Sequence, residues 1–395
     1  MKIAMVINGT RGDVQPMIAL ANGLMKKGHD VIMCATPENE DLARQNQCPF
    51  IPFGPNYREL FRKKAKKMKG GATLSPSPKQ IKKDTAEQMN LLPDLIKGSD
   101  LVLGVGFVLG VHTVADVMKI PYRFVVFYPA MLGPTHKDPA VYRMLFGFGK
   151  SMTNMMMKSF VNKVRAKAGL EAVKDVWDHW MGDEVLVASD KEINEAREGV
   201  EFKFIQTAYM PLPSKMKLPK DVEKFLDDGK PPVFIGFGSN PIARPEEYFT
   251  MFSHVLEATN QRLIISKGWA DLPETKEKDI LYVEEMPYEY LFPRLAAVIH
   301  HGGTGTMAVA ARAGIPQAAF PFMADQFENR KQITRLGIGP DTTDFKKMTA
   351  EDITNAIRAC VTDVRFKENA VSLAEKLKGV NGVDMTVKVV ESVAL

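Results

Sequence analysis

The chain has 395 residues, 45% of them hydrophobic and 25% charged, a length that favours two domains, each with its own core, over one. No apolar run reaches the roughly 18 to 20 residues that span a bilayer. The first residues enter a strand pattern without signal-peptide architecture, so a cytoplasmic protein is expected. Three cysteines, Cys34, Cys48 and Cys360, are odd in number and lack metal-ligand spacing. Reduced thiols in apolar surroundings follow, with no metal or redox centre.

The opening reads as strand, loop, helix and strand: Lys2 to Ile7, then Val14 to Lys27, then Asp30 to Cys34. Gly28 closes the helix where a left-handed backbone is needed. His29 falls in that helix-to-strand turn, where a structural role is expected. The net charge of +5 is uneven: Arg58 to Lys83 hold ten Lys/Arg against one Glu, a local +9 that leaves −4 for the remainder. Gly70-Gly71 and Ser75-Pro76-Ser77-Pro78 punctuate that segment and predict a mobile loop. Such a loop is either plain solvated surface or a patch drawn to anionic headgroups, which makes peripheral membrane contact one expectation. Nucleic acid is not expected, because no recognised fold or interleaved aromatic residues accompany the charges.

Strands at Leu101 to Leu103 and Tyr122 to Phe127 flank a helical stretch from Val111 to Met118. This alternation argues for a parallel sheet with helices on both faces. Gly104, Gly106 and Gly110 have the wrong spacing for the dinucleotide fingerprint, which disfavours a nicotinamide enzyme. A Met-rich stretch follows, with Met144, Phe146, Phe148, Met152 and Met155 to Met157. With Phe124 to Met131 it offers soft apolar surface for a lipophilic alcohol, although helical core packing is the commoner cause of such a stripe. Phe127, Met131 and His136 are the candidate acceptor contacts. Pro211, Pro213, Pro219, Pro231 and Pro232 bracket a short charged helix and mark residues 213–231 as an interdomain linker.

A second strand-helix alternation begins at Val233 and continues through Arg262 to Ser266, Ile280 to Val283, Val298 to His300 and Gln317 to Phe320. At its centre stands His300-His301-Gly302-Gly303-Thr304-Gly305-Thr306, between a short buried strand and a helix-like run from Met307. Unpaired N–H groups and the positive end of a helix dipole meet there, and residues without bulk let a phosphate approach the main chain. A diphosphate is the expected occupant. His300 ends the strand and is expected to donate a hydrogen bond to it, while His301 supports the turn. Asp325 and Gln326 follow the next apolar strand, and an acid beside an amide suits sugar hydroxyls. Three closing helices, Ala350 to Cys360, Arg365 to Leu377 and Met385 to Val393, carry apolar residues at helical spacing.

The glycine-rich loop and the Pro321-Phe322-Met323-Ala324-Asp325-Gln326 segment together resemble the donor-sugar signature of the inverting nucleotide-sugar glycosyltransferases with the GT-B fold. The likeness is closest to the sterol glucosyltransferases and the bacterial natural-product glycosyltransferases. Val233-Phe234-Ile235-Gly236-Phe237-Gly238-Ser239 is similar to the family's phosphate-facing strand and loop, and Met286-Pro287-Tyr288-Glu289-Tyr290-Leu291-Phe292-Pro293 to the segment beside the nucleotide base. Gly9-Thr10-Arg11-Gly12-Asp13-Val14-Gln15-Pro16 matches the acceptor-side loop almost residue for residue. The resemblance spans nearly the whole chain and is weakest between Tyr57 and Tyr209.

The resemblance implies two Rossmann-like α/β domains facing each other across a cleft: residues 1–212 for the acceptor, the linker 213–231, residues 232–378 for the nucleotide sugar, and residues 379–395 as a helix packing back on the N-terminal domain. It implies transfer of a hexose, most simply glucose, from a UDP-sugar to a hydroxyl of a lipophilic small molecule, without metal or cofactor. Asp13 would act as general base, in a place where many plant relatives have histidine, and His300 would stabilise the leaving group. Gly12, Gly238, Ser239, Trp269, Met286, Pro287, Gly302, Gly303, Thr304, Gly305, Thr306, Asp325 and Gln326 would complete the donor site. Ala308 stands where plant relatives place a ribose-binding glutamate, which leaves open a TDP-deoxysugar donor. A non-hydrolysing sugar-nucleotide epimerase is the alternative on the same fold, but it would have no use for an acceptor loop.

Overall fold

The computed structural model describes residues 1–67, 77–238, 245–268, 277–323 and 325–393. The chain forms two compact units, one made of Met1–Tyr57, Ser75–Leu212 and Asn381–Leu395, the other of Arg58–Leu74 and Pro213–Val380.

The first unit is built on a parallel seven-stranded sheet of β1 (Lys2–Asn8), β2 (Asp30–Ala35), β3 (Phe50–Pro52), β4 (Leu101–Gly106), β5 (Tyr122–Val126), β6 (Glu184–Val187) and β7 (Lys203–Gln206), ordered β3-β2-β1-β4-β5-β6-β7. Ile3 to Ile7 are all fully buried, as a central strand covered on both faces must be. Their side chains alternate between two cores. Ile3, Met5 and Ile7 join the core that holds Met17, Ile18 and Leu20 of α1 (Arg11–Lys26) and Ala43 of α2 (Glu40–Gln45). Beyond β3 the chain enters α3 (Tyr57–Lys67), which from Arg58 onward is counted with the second unit. Ala4 and Val6 join the opposite core, with α4 (Pro78–Leu95), α5 (Val111–Met118), α6 (Ala140–Lys167) and α7 (Val176–Met181).

The second unit has a parallel five-stranded sheet, ordered β10-β9-β8-β11-β12. Its strands are β8 (Val233–Gly236), β9 (Leu263–Ser266), β10 (Ile280–Val283), β11 (Ala297–His300) and β12 (Gln317–Ala319). The helices are α8 (Lys220–Asp227), α9 (Pro245–Thr259), α10 (Tyr288–Leu291), α11 (Thr304–Arg312), α12 (Asp325–Arg335), α13 (Ala350–Thr362) and α14 (Val364–Leu377). The last helix, α15 (Gly382–Ser392), returns to the first unit. It buries Val387 and Val390 in the α1 core, each contributing about 1.5–3 kcal/mol. Thr386 and Thr207 join hydroxyls at 2.9 Å, and His29 meets Glu391 at 3.0 Å, so the turn histidine has the structural role expected of it.

Several elements depart from the sequence expectation. Helix α1 starts at Arg11 rather than Val14, with Thr10 as N-cap, which puts Asp13 at the third helical position. Strands β3, β6 and β7 have three or four residues each, too few to show a period. The basic segment is not a single loop: α3 covers its start and α4 its end, Ser77 capping α4 by accepting the Gln80 N–H, while residues 68–76 lie outside the described residues. All three cysteines are free and buried, and burial pushes their thiols up to about 12. No described helix is long and apolar enough to cross a membrane.

Candidate active site

Each unit gathers its polar side chains at the carboxyl ends of its central strands, where open α/β sheets hold their ligands. In the first unit this edge centres on Asp13. Its Oδ2 accepts the Thr10 N–H at 2.8 Å and lies near the Thr10 hydroxyl at 3.4 Å. A Cβ on Gly9 would come within 2.2 Å of that oxygen, so only glycine lets the carboxylate fold over the end of β1. Burial pushes the Asp13 pKa up to about 6, against the pull of the Thr10 bonds. Around it the strand ends are tied together. Asn8 donates to the Phe107 carbonyl at 2.9 Å and accepts the Tyr57 hydroxyl at 3.0 Å, and Thr36 donates to the Gly9 carbonyl at 2.9 Å. Gln88 donates to the Phe107 carbonyl and accepts from the Gly110 N–H. Gly12 is exposed in the first turn of α1.

In the second unit β11 runs into His301, Gly302 and Gly303, and α11 follows. The N–H groups of Thr304, Gly305 and Thr306 have no acceptor within that helix, and the three residues are half-buried, which leaves a positive helix end beside the loop. Gly302 takes φ +88° and packs against the Gln326 backbone, where a Cβ would be 2.9 Å from its carbonyl oxygen. Asn329 of α12 donates to the Gly302 carbonyl at 2.8 Å and to the Thr304 hydroxyl at 3.1 Å, and Thr304 donates to Asp325 at 3.1 Å.

The two histidines sit differently from expectation. His300 is fully buried. Its Nδ1 accepts the Gly302 N–H at 3.0 Å, which puts the proton on Nε2, and Nε2 donates to Gln317 at 3.0 Å. Burial lowers its pKa to about 3, so the ring stays neutral. With both nitrogens committed inside the protein, His300 braces the loop instead of donating to a diphosphate. His301 is half-buried, its ring lodged where a Cβ on Gly303 would come within 2.3 Å and one on Gly238 within 2.7 Å. Burial pushes its pKa to about 4 while the Gly236 carbonyl acts the other way. Its Nδ1 makes no hydrogen bond of ordinary geometry among the described residues.

Other assignments also change. The Gln326 side-chain oxygen accepts the N–H groups of Phe322 and Met323 at 2.8 and 3.2 Å, so the oxygen holds its own loop and only the amide N–H groups are left for a sugar hydroxyl. Asp325 remains half-buried at the start of α12. Phe127 lies in the α1-side core and is no acceptor contact, since it is buried. Met131 packs against the opposite core, and His136 is exposed, its carbonyl accepting from Arg143. Met286 and the buried Pro287 lead into α10 beyond the end of β10, and Gly238 follows β8 with φ +62°. Ser239 and Trp269 lie outside the described residues. Ala308 is buried in α11 and offers nothing to a ribose.

Gln317 and Asn329, which anchor the loop, were not singled out by sequence. The available signal was an amide interrupting a buried strand and another recurring on a helix face. His112, Asp116 and His179 bring three candidate metal-ligand atoms together, but the Arg165 guanidinium already sits 2.5 Å from Asp116 and 3.4 Å from His179. That arrangement is an ion-pair network in which the arginine supplies the positive charge.

Known proteins share this framework. The glycosyltransferase family 28 N-terminal domain matches residues 3–89, and the erythromycin biosynthesis protein CIII-like C-terminal domain matches residues 265–381. Glycosyltransferase GtfE of Amycolatopsis orientalis is 31% identical over 94% of this chain and 93% of its own. A sterol 3-beta-glucosyltransferase of Arabidopsis thaliana is 30% identical over 98% of this chain, which spans 65% of that enzyme. The crystal structure of the glycosyltransferase VinC in complex with dTDP superposes with a TM-score of 0.70, covering all of this chain and 99% of its own at 16% identity. Two Rossmann-like units, a glycine loop braced by a buried histidine, and relatives aligned along nearly the full length lead to one conclusion: the chain belongs to the GT-B glycosyltransferases.

Proposed function

We propose that this glycosyltransferase is an inverting enzyme that moves a hexose, most simply glucose, from a UDP-sugar to a hydroxyl of a lipophilic small molecule and yields a β-glycoside. The observation that carries the proposal is the Asp13 carboxyl, held at about 6 beside the strand end that glycine leaves open. A carboxylate of that pKa is a competent general base near neutrality, where an ordinary aspartate of ~3.9 is a weak one. Asp13 takes the acceptor proton as the hydroxyl oxygen bonds to C1 of the sugar. The bond from C1 to the phosphate oxygen breaks, and its electron pair leaves with UDP. Charge builds on the diphosphate in that step, so the fixed N–H groups of Thr304 to Thr306 stabilise the transition state more than the ground state. His301 is the side chain we assign to the diphosphate, and Asp325 to the sugar hydroxyls. With these donors in place no metal is required.

Two relatives point to different donors. The sterol enzyme is named for a glucosyl transfer to a sterol, whereas VinC is complexed with dTDP. A second reading, a TDP-deoxysugar transferred to a natural-product aglycone, rests on that complex and on the buried Ala308. Incubation with UDP-glucose or TDP-glucose and a panel of sterols, terpenoids and flavonoids, with a chelator present, should release a β-glucoside from the UDP-sugar, detected by mass and proton coupling constants. Product from TDP-glucose alone would favour the second reading; epimerised nucleotide without glycoside would overturn both.

Gly9 supplies a further check. Gly9→Ala should force the Asp13 carboxylate aside and lower turnover by roughly 10²-fold, the scale of an ångström-sized misplacement, with donor binding retained. Steady-state kinetics beside UDP calorimetry would show it, and unchanged turnover would remove the need for that close packing.

A further inference from the structure

Helix α6 was expected to bury its methionine stripe in the core, and only its far half does. Met157, Val161 and Arg165 are buried against the first unit. At about 100° per residue the side chains of Val141, Met144, Leu145, Phe148 and Met155 fall on the opposite side of the helix. All five are exposed, Met144 by 65%, Phe148 by 64% and Met155 by 73%. The helix itself is firmly held. Asn154 donates to Asp175 and accepts the Val176 N–H, Lys150 reaches Asp178 and Glu201, and Arg165 reaches Asp116. An apolar face of this size on an ordered helix is uncommon unless something covers it. Charge indicates what does. The 28 residues of α6 contain six Lys/Arg and no Asp or Glu; Lys150 and Arg165 are paired with neighbouring carboxylates, and Lys158 and Lys163 are exposed along the helix.

We propose that the exposed face of α6 docks on a bilayer surface containing anionic phospholipid. The apolar stripe enters the acyl boundary while Lys158 and Lys163, at its carboxyl end, meet headgroup phosphates, as in an interfacial amphipathic helix. A second copy of the chain fits less well, because two acid-free basic helices would face each other. The inference is independent of the sugar chemistry proposed above.

Vesicle sedimentation of the full chain tests it. Binding is expected to vesicles of phosphatidylcholine with phosphatidylserine and to be far weaker with phosphatidylcholine alone. The triple variant Met144→Ser, Leu145→Ser, Phe148→Ser should bind more than about tenfold more weakly, equivalent to ~1.4 kcal/mol, and melt as the parent does since these side chains are exposed. Phe148→Trp should add emission that shifts to the blue when the mixed vesicles are added. Parent-like sedimentation of the triple variant would overturn the proposal, as would an unmoved emission. So would a dimer of the parent that the triple substitution dissolves, or loss of turnover on a water-soluble acceptor with vesicle binding intact.

Discussion

Asp13→Asn is expected to lower turnover by roughly 10²- to 10⁴-fold, the usual contribution of a general base, with UDP affinity nearly unchanged. Asparagine keeps an oxygen that can accept the Thr10 N–H, so the start of α1 should survive. The pH profile separates catalysis from structure. A base must be unprotonated, so the parent's kcat/KM should fall about tenfold per pH unit as pH drops below about 6, the value at which burial holds this carboxyl. In the asparagine variant that limb should vanish. Stability should move in the opposite sense. A carboxyl whose folded pKa is raised binds its proton more tightly in the native state, so its contribution is present below the unfolded pKa of ~4 and is lost as pH rises through about 6. The variant is therefore expected to be more stable than the parent at pH 7, by at most ~3 kcal/mol, and not at low pH. Parent-like turnover, with an acceptor that is not already ionised, would remove Asp13 from the chemistry.

The adjacent histidines should separate into a folding effect and a binding effect. His300→Ala removes a fully buried ring and leaves the Gly302 N–H and the Gln317 amide oxygen unpaired. Each unmet group costs about 1–3 kcal/mol, and the cavity adds to it, so a loss of about 3 kcal/mol or more is expected, with weakened nucleotide binding as a consequence of the loosened loop. His300→Asn, which can still accept the Gly302 N–H, should recover part of it. His301→Ala should leave the melting temperature close to the parent's and weaken UDP in calorimetry. Thermal unfolding and calorimetry on all three variants give the answer. Unaltered UDP affinity in His301→Ala, or unaltered stability in His300→Ala, would reverse the assignment.

Much of the architecture is local in origin and therefore written along the chain. The apolar run of β1, glycine at the end of α1, the proline cluster before β8 and the strand-to-helix junction after His300 each encode their own geometry within a few residues, and all were legible in order. What required the tertiary structure was direction. Successive side chains of a strand point to opposite faces, and which of His300 and His301 turns inward depends on β8, on Gln317 of β12 and on Asn329 of α12, all distant in sequence. The raised Asp13 pKa arises from desolvation by burial, a quantity no motif carries. The methionine stripe of α6 has the same helical period whether it faces a core or solvent, and Phe127 reads as loop apolar surface or as core with equal ease. Periodicity specifies that a face is apolar; only packing decides what the face meets, because burial is a property of neighbours rather than of the residues themselves.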